Sequence, residues 1–485
     1  VDGNDNTAIG AYSLGRNTTS DNNTAVGRSA LAASTSANNT AVGFQAVGVG
    51  VLTGGDNVVV GKGAALNATG MATSVFIGYQ SGGAGVIAGA NNTCVGHNSG
   101  YSMIAGASNV LIGRDAGKLL TAGAENVAIG HGALDAADTG TAKNYNVAVG
   151  TNALGGQTSD ASYCVAIGHN ALVAQNADVK NTAIGGLAGS NMVGGNGNTF
   201  LGYQSGLTNN ATNNVAIGSE AFELGTGNSN VIIGAAAGDA AGSHSEGVLI
   251  GYGAGTSLTD GPGNVLVGKS AGAAMSTSDY NIAIGFQALN ALTVNSHNNI
   301  AIGANALGGQ SNDQSSGSYS ENGCIAIGKD ALLVQNGTDV WNTAVGTEAG
   351  KTVSTGTGNT LIGTQAGYTI ADDNQCTAVG HRALAASTAG AYNTAIGANC
   401  MSDAISGQSN TAVGAWALGS AATAMTRNTA IGTSALFAVN LADNSDNTAL
   451  GHQAGRYLSN GSTEVTDVRF CTFLGAATHP SDATG

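Results

Sequence analysis

A five-residue motif constrains this chain more than any other feature. Asn6-Thr7-Ala8-Ile9-Gly10 returns as Asn23-Thr24-Ala25-Val26-Gly27 and again as Asn39-Thr40-Ala41-Val42-Gly43. With the closing glycine as position 0, the motif recurs 27 times, the last at Gly475. Thirteen of the 26 spacings are 17 residues, three are 16, six are 18, and four run from 19 to 25. Position −1 is Ile, Val or Leu throughout, and position −3 is Thr, Val or Ile in all 27. β-Branched residues two apart mark a short strand. Strands of about five residues, closed by glycine every 17 residues, leave no room for a helical crossover. They predict parallel stacking, one coil per repeat, at a rise of about 4.8 Å. The register runs through residues 1–485 as a single repeat domain, an all-β parallel β-solenoid.

Composition agrees with this and excludes several alternatives. Glycine accounts for 78 of 485 residues and proline for 2, with 9% charged and 42% hydrophobic. Collagen would need glycine at every third position and abundant proline. Disorder would pair low hydrophobicity with high net charge. A net charge of −15 argues against a nucleic-acid partner, whose phosphates need cations. No segment has the roughly 18 to 20 consecutive apolar residues of a membrane-crossing helix, so no membrane insertion is expected within it.

Positions −4 and −2 face one side of the strand, and −3 and −1 face the other. Asn holds −4 in 21 of 27 repeats, where stacked amides can hydrogen-bond along the axis. Where −2 is Ala, position +4 is large and apolar in 14 of 17 repeats, as in Ala8 with Leu14 or Ala216 with Phe222. Where −2 is larger, +4 is Gly in 8 of 10, as in Phe76 with Gly82 or Phe200 with Gly206. Complementary volumes place −2 and +4 in one packed space inside the coil. Ala183 with Gly189, Ala344 with Gly350 and Ala449 with Gly455 break the rule.

The −3/−1 face is then apolar on the opposite side. A continuous stripe of such residues far exceeds an ordinary exposed patch, and strands apolar on both faces are buried on both. A 17-residue coil has little chain with which to cover that side. The expectation is an oligomer about a shared axis, with Ile129, Ile284, Val127 and Ile282 at the subunit interface. The alternative is a flattened single-chain coil whose interior holds both sets.

The run Asn-[Thr/Val]-Ala-[Ile/Val]-Gly, followed by two variable residues and a small one, resembles the head repeats of trimeric autotransporter adhesins. It is similar also to repeats of bacteriophage tail-fibre shafts, and the likeness extends from Asn6 to Gly475. The resemblance implies a left-handed parallel β-roll, a homotrimer, and an attachment role at a cell or virion surface. Family repeats are often nearer 14 residues, so the longer period here implies a longer outer turn. The anchor, stalk and chaperone segments usual around such repeats are not expected within residues 1–485. Val1 in place of an initiating Met suggests a processed or excerpted chain.

Catalytic motifs are wanting: the sequence has neither a phosphate loop nor a His-Glu-x-x-His helix. Gly202-Tyr203-Gln204-Ser205-Gly206 imitates a nucleophile elbow but belongs to the repeat register. No enzyme is expected. Six cysteines occur, four at −4 in coils at least three apart, too far for an intrachain disulfide. They read as small buried thiols, with a cross-chain bridge as the alternative; no zinc spacing exists.

Position +1 collects His97, His131, His169, His381 and His452, with Arg28, Lys62, Arg114, Lys269 and Lys329. Phe44, Tyr79, Tyr203, Tyr252 and Phe286 share the column. Such a stripe can grip a host-surface glycan or receptor, with Tyr79, Tyr203 and Tyr252 as candidates. The plainer reading is a subunit edge that covers a neighbour's strand ends. Variable turns carry further candidates: Asp313, Tyr319 and Glu321 in the 25-residue repeat, Tyr457 and Arg469 in the 24-residue one. Acidic turns at Asp372-Asp373 and Asp443 to Asp446 allow calcium but match no calcium motif; no other cofactor is expected. The sequence thus points to a non-enzymatic extracellular or virion fibre segment. The rivals are an end-to-end filament or matrix protein and, behind it, a polysaccharide-degrading solenoid enzyme. A threonine ice-binding ladder is a further option, weakened by Val and Ile at −3.

Overall fold

A computed structural model describes residues 3–136, 143–156, 162–175, 180–208, 210–240, 242–291, 296–309, 323–335, 340–386, 390–403, 406–420, 425–437, 445–456 and 469–478. The chain divides into two compact units, Val1–Ala236 and Ala237–Gly485. Coils are numbered here by their closing glycine, Gly10 being coil 1 and Gly475 coil 27. Each of the 27 motifs forms a three-residue strand at −3 to −1, beginning with Thr7–Ile9 and ending with Thr472–Leu474. Fourteen of these strands lie in the first unit and thirteen in the second. A minor pair, Gly407–Gln408 with Met425–Thr426, lies on another side of its coils. Among the described residues no helix occurs.

Within each unit successive strands pair in parallel with like position beside like. Val127, Ala128 and Ile129 meet Val147, Ala148 and Val149, and Ile282, Ala283 and Ile284 meet Ile300, Ala301 and Ile302. The strands are shorter than the expected five residues because turns close on both sides. Position −5 takes a left-handed backbone, as at Asn38 (φ 62°), and so do +2 and +4, as at Ser29 (φ 56°) and Leu31 (φ 48°).

The closing glycine is required on two counts. Gly380 has φ 135°, and a Cβ there would stand 2.6 Å from the Gly397 carbonyl oxygen of the next coil. Backbone thus stacks directly on backbone, with no room for a side chain between coils.

Beyond the first coil, position −2 faces inward and is buried, fully so at Phe76, Leu111 and Phe200. The +4 residue meets it: a Cβ at Gly206 would lie 2.5 Å from the Phe200 ring, and at Gly117 2.9 Å from Leu111. The three exceptions borrow bulk from both neighbours. The space at Gly189 is filled by Leu172 below and Phe200 above, at 2.8 and 3.2 Å from a Cβ built there. Gly350 has Leu361 and Leu332 at 2.7 and 2.9 Å, and Gly455 has Leu436 and Phe473 at 2.7 and 2.9 Å. The volume rule therefore operates across neighbouring coils.

A third inward column escaped the sequence reading. Where +4 is Gly, position +7 is often a buried apolar residue: Met103, Leu120, Met192, Leu258, Met275, Val353 and Ile370. Gly272 illustrates the fit, since a Cβ there would stand 2.7 Å from Met275 Sδ. The signal was present in the sequence as Leu, Met, Ile or Val three residues after the +4 glycine.

The asparagine ladder forms as expected. Asn109 Nδ2 donates to Asn92 Oδ1 (3.1 Å) and to the Gly123 carbonyl (2.8 Å). Its Oδ1 accepts from the Asn126 backbone N–H and from Asn126 Nδ2, both at 3.0 Å. The Asn109 amide thus ties three successive coils and satisfies a buried backbone donor. Cysteine replaces it in the same setting, with the Cys164 and Cys376 backbone amides donating to Asn146 and Asn359 Oδ1.

Candidate functional site: the outward strand face and its two edges

With −4 and −2 sealed inside, the strands present −3 and −1 outward. Ile129 and Ile284 remain 38% and 39% exposed, while their −2 neighbours Ala128 and Ala283 are fully buried. Val127 and Ile282 are half-buried beside them. The flattened coil that would hold both sets inside is therefore excluded; the two sets lie on opposite sides of the sheet. Two flanking columns complete the outward surface.

One flank is the +1 column. Tyr79 lies between Lys62, 5.7 Å from its ring centroid, and His97, whose ring stacks on it at 5.2 Å and 13°. Arg28 sits 6.0 Å above the Phe44 ring, and Lys269 5.8 Å from the Tyr252 ring. Coils 2 to 8 carry Arg28, Phe44, Lys62, Tyr79, His97, Arg114 and His131 without a gap, all exposed. Tyr203 stands in the same column farther along the first unit, over Gly186, where a Cβ would meet its ring at 3.6 Å. Tyr252 belongs to the second unit, so the three tyrosines form no single cluster. Beneath Arg114 and His131 lies Asp115, with Arg114 Nε at 3.1 Å, Lys118 Nζ at 3.5 Å and His131 Nε2 at 4.0 Å. Burial alone would raise its pKa, but the Asn98 hydrogen bond and the Lys118 and Arg114 charges hold it below the usual carboxylate value.

The other flank is the −5 column, which the sequence reading passed over. Tyr145 and Tyr163 stack at 4.8 Å and 16°. Tyr280, Trp341 and Tyr392 are exposed in the same column with positive φ, a conformation bulky residues seldom adopt. Tyr280 lies over Gly263 of the preceding coil, where a Cβ would come within 2.6 Å of the ring. Six aromatics at one repeat position were the available signal.

Asp313, Tyr319, Glu321 and Tyr457 lie outside the described residues. Arg469 is exposed beside Ser445, its charge helping to depress the Asp446 pKa after the larger effect of the Arg427 hydrogen bond. In the acidic turns, Asp372 accepts from Thr355 Oγ1 (2.7 Å) and Ser354 Oγ (2.9 Å), and Asp373 accepts from the Gly390 amide. Arg427 grips Asp446 with two hydrogen bonds, 2.6 and 2.9 Å. Those carboxylates are occupied in joining coils. Among the described residues no group of three or more His, Cys, Asp or Glu comes together to hold a metal ion.

Cys94, Cys164, Cys324, Cys376 and Cys400 are buried free thiols, and Cys471 is partly exposed. Burial pushes the Cys376 thiol up to about 11 and the Cys400 thiol up to about 12. No helix among the described residues is long and apolar enough to cross a membrane. No protein-family model, curated protein or solved structure matches the chain.

Proposed function

We propose that this chain is a shaft or head segment of a non-enzymatic fibre, working outside a cell or on a virion. Three copies associate through their outward strand faces, and the resulting body carries attachment surfaces away from a base. The observation that supports this most directly is the β-branched −3/−1 face, one residue wide on each side of a buried column and half-exposed in a single chain. An apolar stripe of that extent is an association surface. The exposed +1 stripe and the variable turns are the places where a host-surface glycan or receptor would be met.

Sedimentation of the full chain tests the reading. The expected species has three times the 47.0 kDa chain mass. Ile129→Asp and Ile284→Asp place charges in the face without touching the interior and are expected to release monomers. A wild-type chain that sediments as a monomer would remove the basis for the proposal. Negative-stain images separate rods of fixed length from unlimited end-to-end filaments, the rival reading.

A further inference from the structure

The two flanking columns are matched to one another within each coil, although they do not meet within the chain. Five residues separate them, three of which form the strand. Eight coils carry an aromatic or cationic residue at −5, and six of these have a small residue at +1. The six pairs are Tyr145 with Thr151, Lys180 with Gly186, Trp341 with Thr347, Tyr392 with Ala398, Arg427 with Thr433 and Phe470 with Ala476. Shifting the comparison by one coil lowers the match to four of seven in one direction and two of eight in the other. The converse holds in three of the four coils with Gly at −5, where Gly197, Gly263 and Gly323 share their coils with Tyr203, Lys269 and Lys329 and Gly358 shares its coil with Thr364. Charge follows size: Asp56 shares a coil with Lys62, and Glu125 with His131, and no coil has a cation on both flanks.

Residues that do not touch within one chain, yet compensate in volume and charge at the same level, are matched through another copy. Resting on the side-by-side association proposed above, we infer that a second copy of this chain lies parallel and level with the first. Its −5 edge seats against the +1 edge of its neighbour, coil against the same coil. A large side chain on one edge enters the space left by a small one on the other, and Asp56 of one copy approaches Lys62 of the next. In the remaining two of the eight coils the paired residues are both rings, Tyr163 with His169 and Tyr280 with Phe286, which suits stacking. The contact joins unlike edges, so it repeats around a closed ring. The columns thus fix the direction and level of neighbouring chains, which the uniform −3/−1 face between them cannot do.

Cysteine cross-linking of the full chain tests this. Thr73 already holds a β-branched residue at φ 48° and is exposed, so Thr73→Cys leaves the interior unchanged. Combined with Tyr79→Cys in the same coil, it is expected to yield covalently linked chains under copper-phenanthroline oxidation. Combined with Lys62→Cys or His97→Cys, one coil away on either side, it is expected to yield none above the parent background. A disulfide spans about 4.4–6.8 Å between Cα atoms, so one coil of displacement is resolved. Linking by an off-coil pair in place of the same-coil pair, or by no pair in a chain that sediments as an oligomer, overturns the inference and leaves the association standing. A wild-type monomer overturns both. As a second measure, Asp56→Lys is expected to weaken assembly and Asp56→Lys with Lys62→Asp to restore it; failure of the double variant to recover counts against the pairing.

Discussion

Replacement of Asn109 by Ala probes the axial ladder most directly. The substitution removes the Asn109 donations to Asn92 Oδ1 and the Gly123 carbonyl, and the acceptor used by the Asn126 backbone amide. Asn92 Oδ1 keeps the Asn109 backbone N–H at 3.0 Å, and Asn126 Nδ2 keeps the Lys143 carbonyl at 2.8 Å. Two groups lose a partner in the buried wall: the Asn126 amide and the Gly123 carbonyl. An unsatisfied buried group costs about 1–3 kcal/mol, so the pair gives about 3 kcal/mol. Coils touch only their neighbours, so the damage is local and a single melting temperature would blur it. Native-state hydrogen exchange reads it directly. The Asn126 amide should exchange roughly a hundred-fold faster, since 1.4 kcal/mol is a factor of ten. Amides several coils away should be unchanged. Less than a five-fold change at Asn126, or an equal change throughout the unit, would refute the ladder as a local clamp.

Three further outcomes follow from the interior. Phe200→Ala should cost about 3–5 kcal/mol, and adding Gly206→Leu should recover the part lost beside Gly206 while the hollow beside Gly189 persists; a double-mutant cycle measures the coupling. His244 occupies the inward −7 position that Met71 and Met425 hold elsewhere, and burial lowers its pKa to about 4. Its folded pKa lies below the unfolded value of 6.5, so its neutral form is favoured in the fold. Stability is accordingly intact above pH 6.5 and falls by about 3 kcal/mol on the way to pH 4. His244→Met should flatten that decline in the surrounding amides, and an unchanged slope would count against it. Thiol labelling of the native chain should modify Cys471 first, with the buried five reacting only on unfolding; rapid labelling of Cys94 would contradict the packing.

Much of this architecture could be read from 27 internal copies. The alternation of inward −4/−2 with outward −3/−1, the Asn ladder and the trade of volume between −2 and +4 each showed as a repeated residue class. Three things were hidden. The borrowed bulk at Gly189, Gly350 and Gly455 depends on the coils before and after, which a within-repeat comparison cannot see. The +7 column was masked because spacings of 16 to 25 shift it against the following motif, although it stays fixed to the preceding one. The −5 edge was passed over because Asn, Ser and Asp are frequent there, and its aromatics stand out only once the strand face lies between them and the +1 stripe. The strand length was overread for a related reason: glycine and asparagine bracket the motif but belong to the turns.

The borrowed volumes have a consequence for how such a chain can change over generations. Identical coils could be duplicated, deleted or exchanged freely by recombination between repeats. Here Gly189 fits only with Leu172 before it and Phe200 after it. Losing the coil that supplies Phe200 would leave a hollow, and placing a large +4 residue there would collide with two neighbours. Gly350 and Gly455 impose the same dependence on their surroundings. Coil order is therefore partly grammatical: the chain can lengthen or shorten at some junctions, while others are joined in threes and must be inherited together.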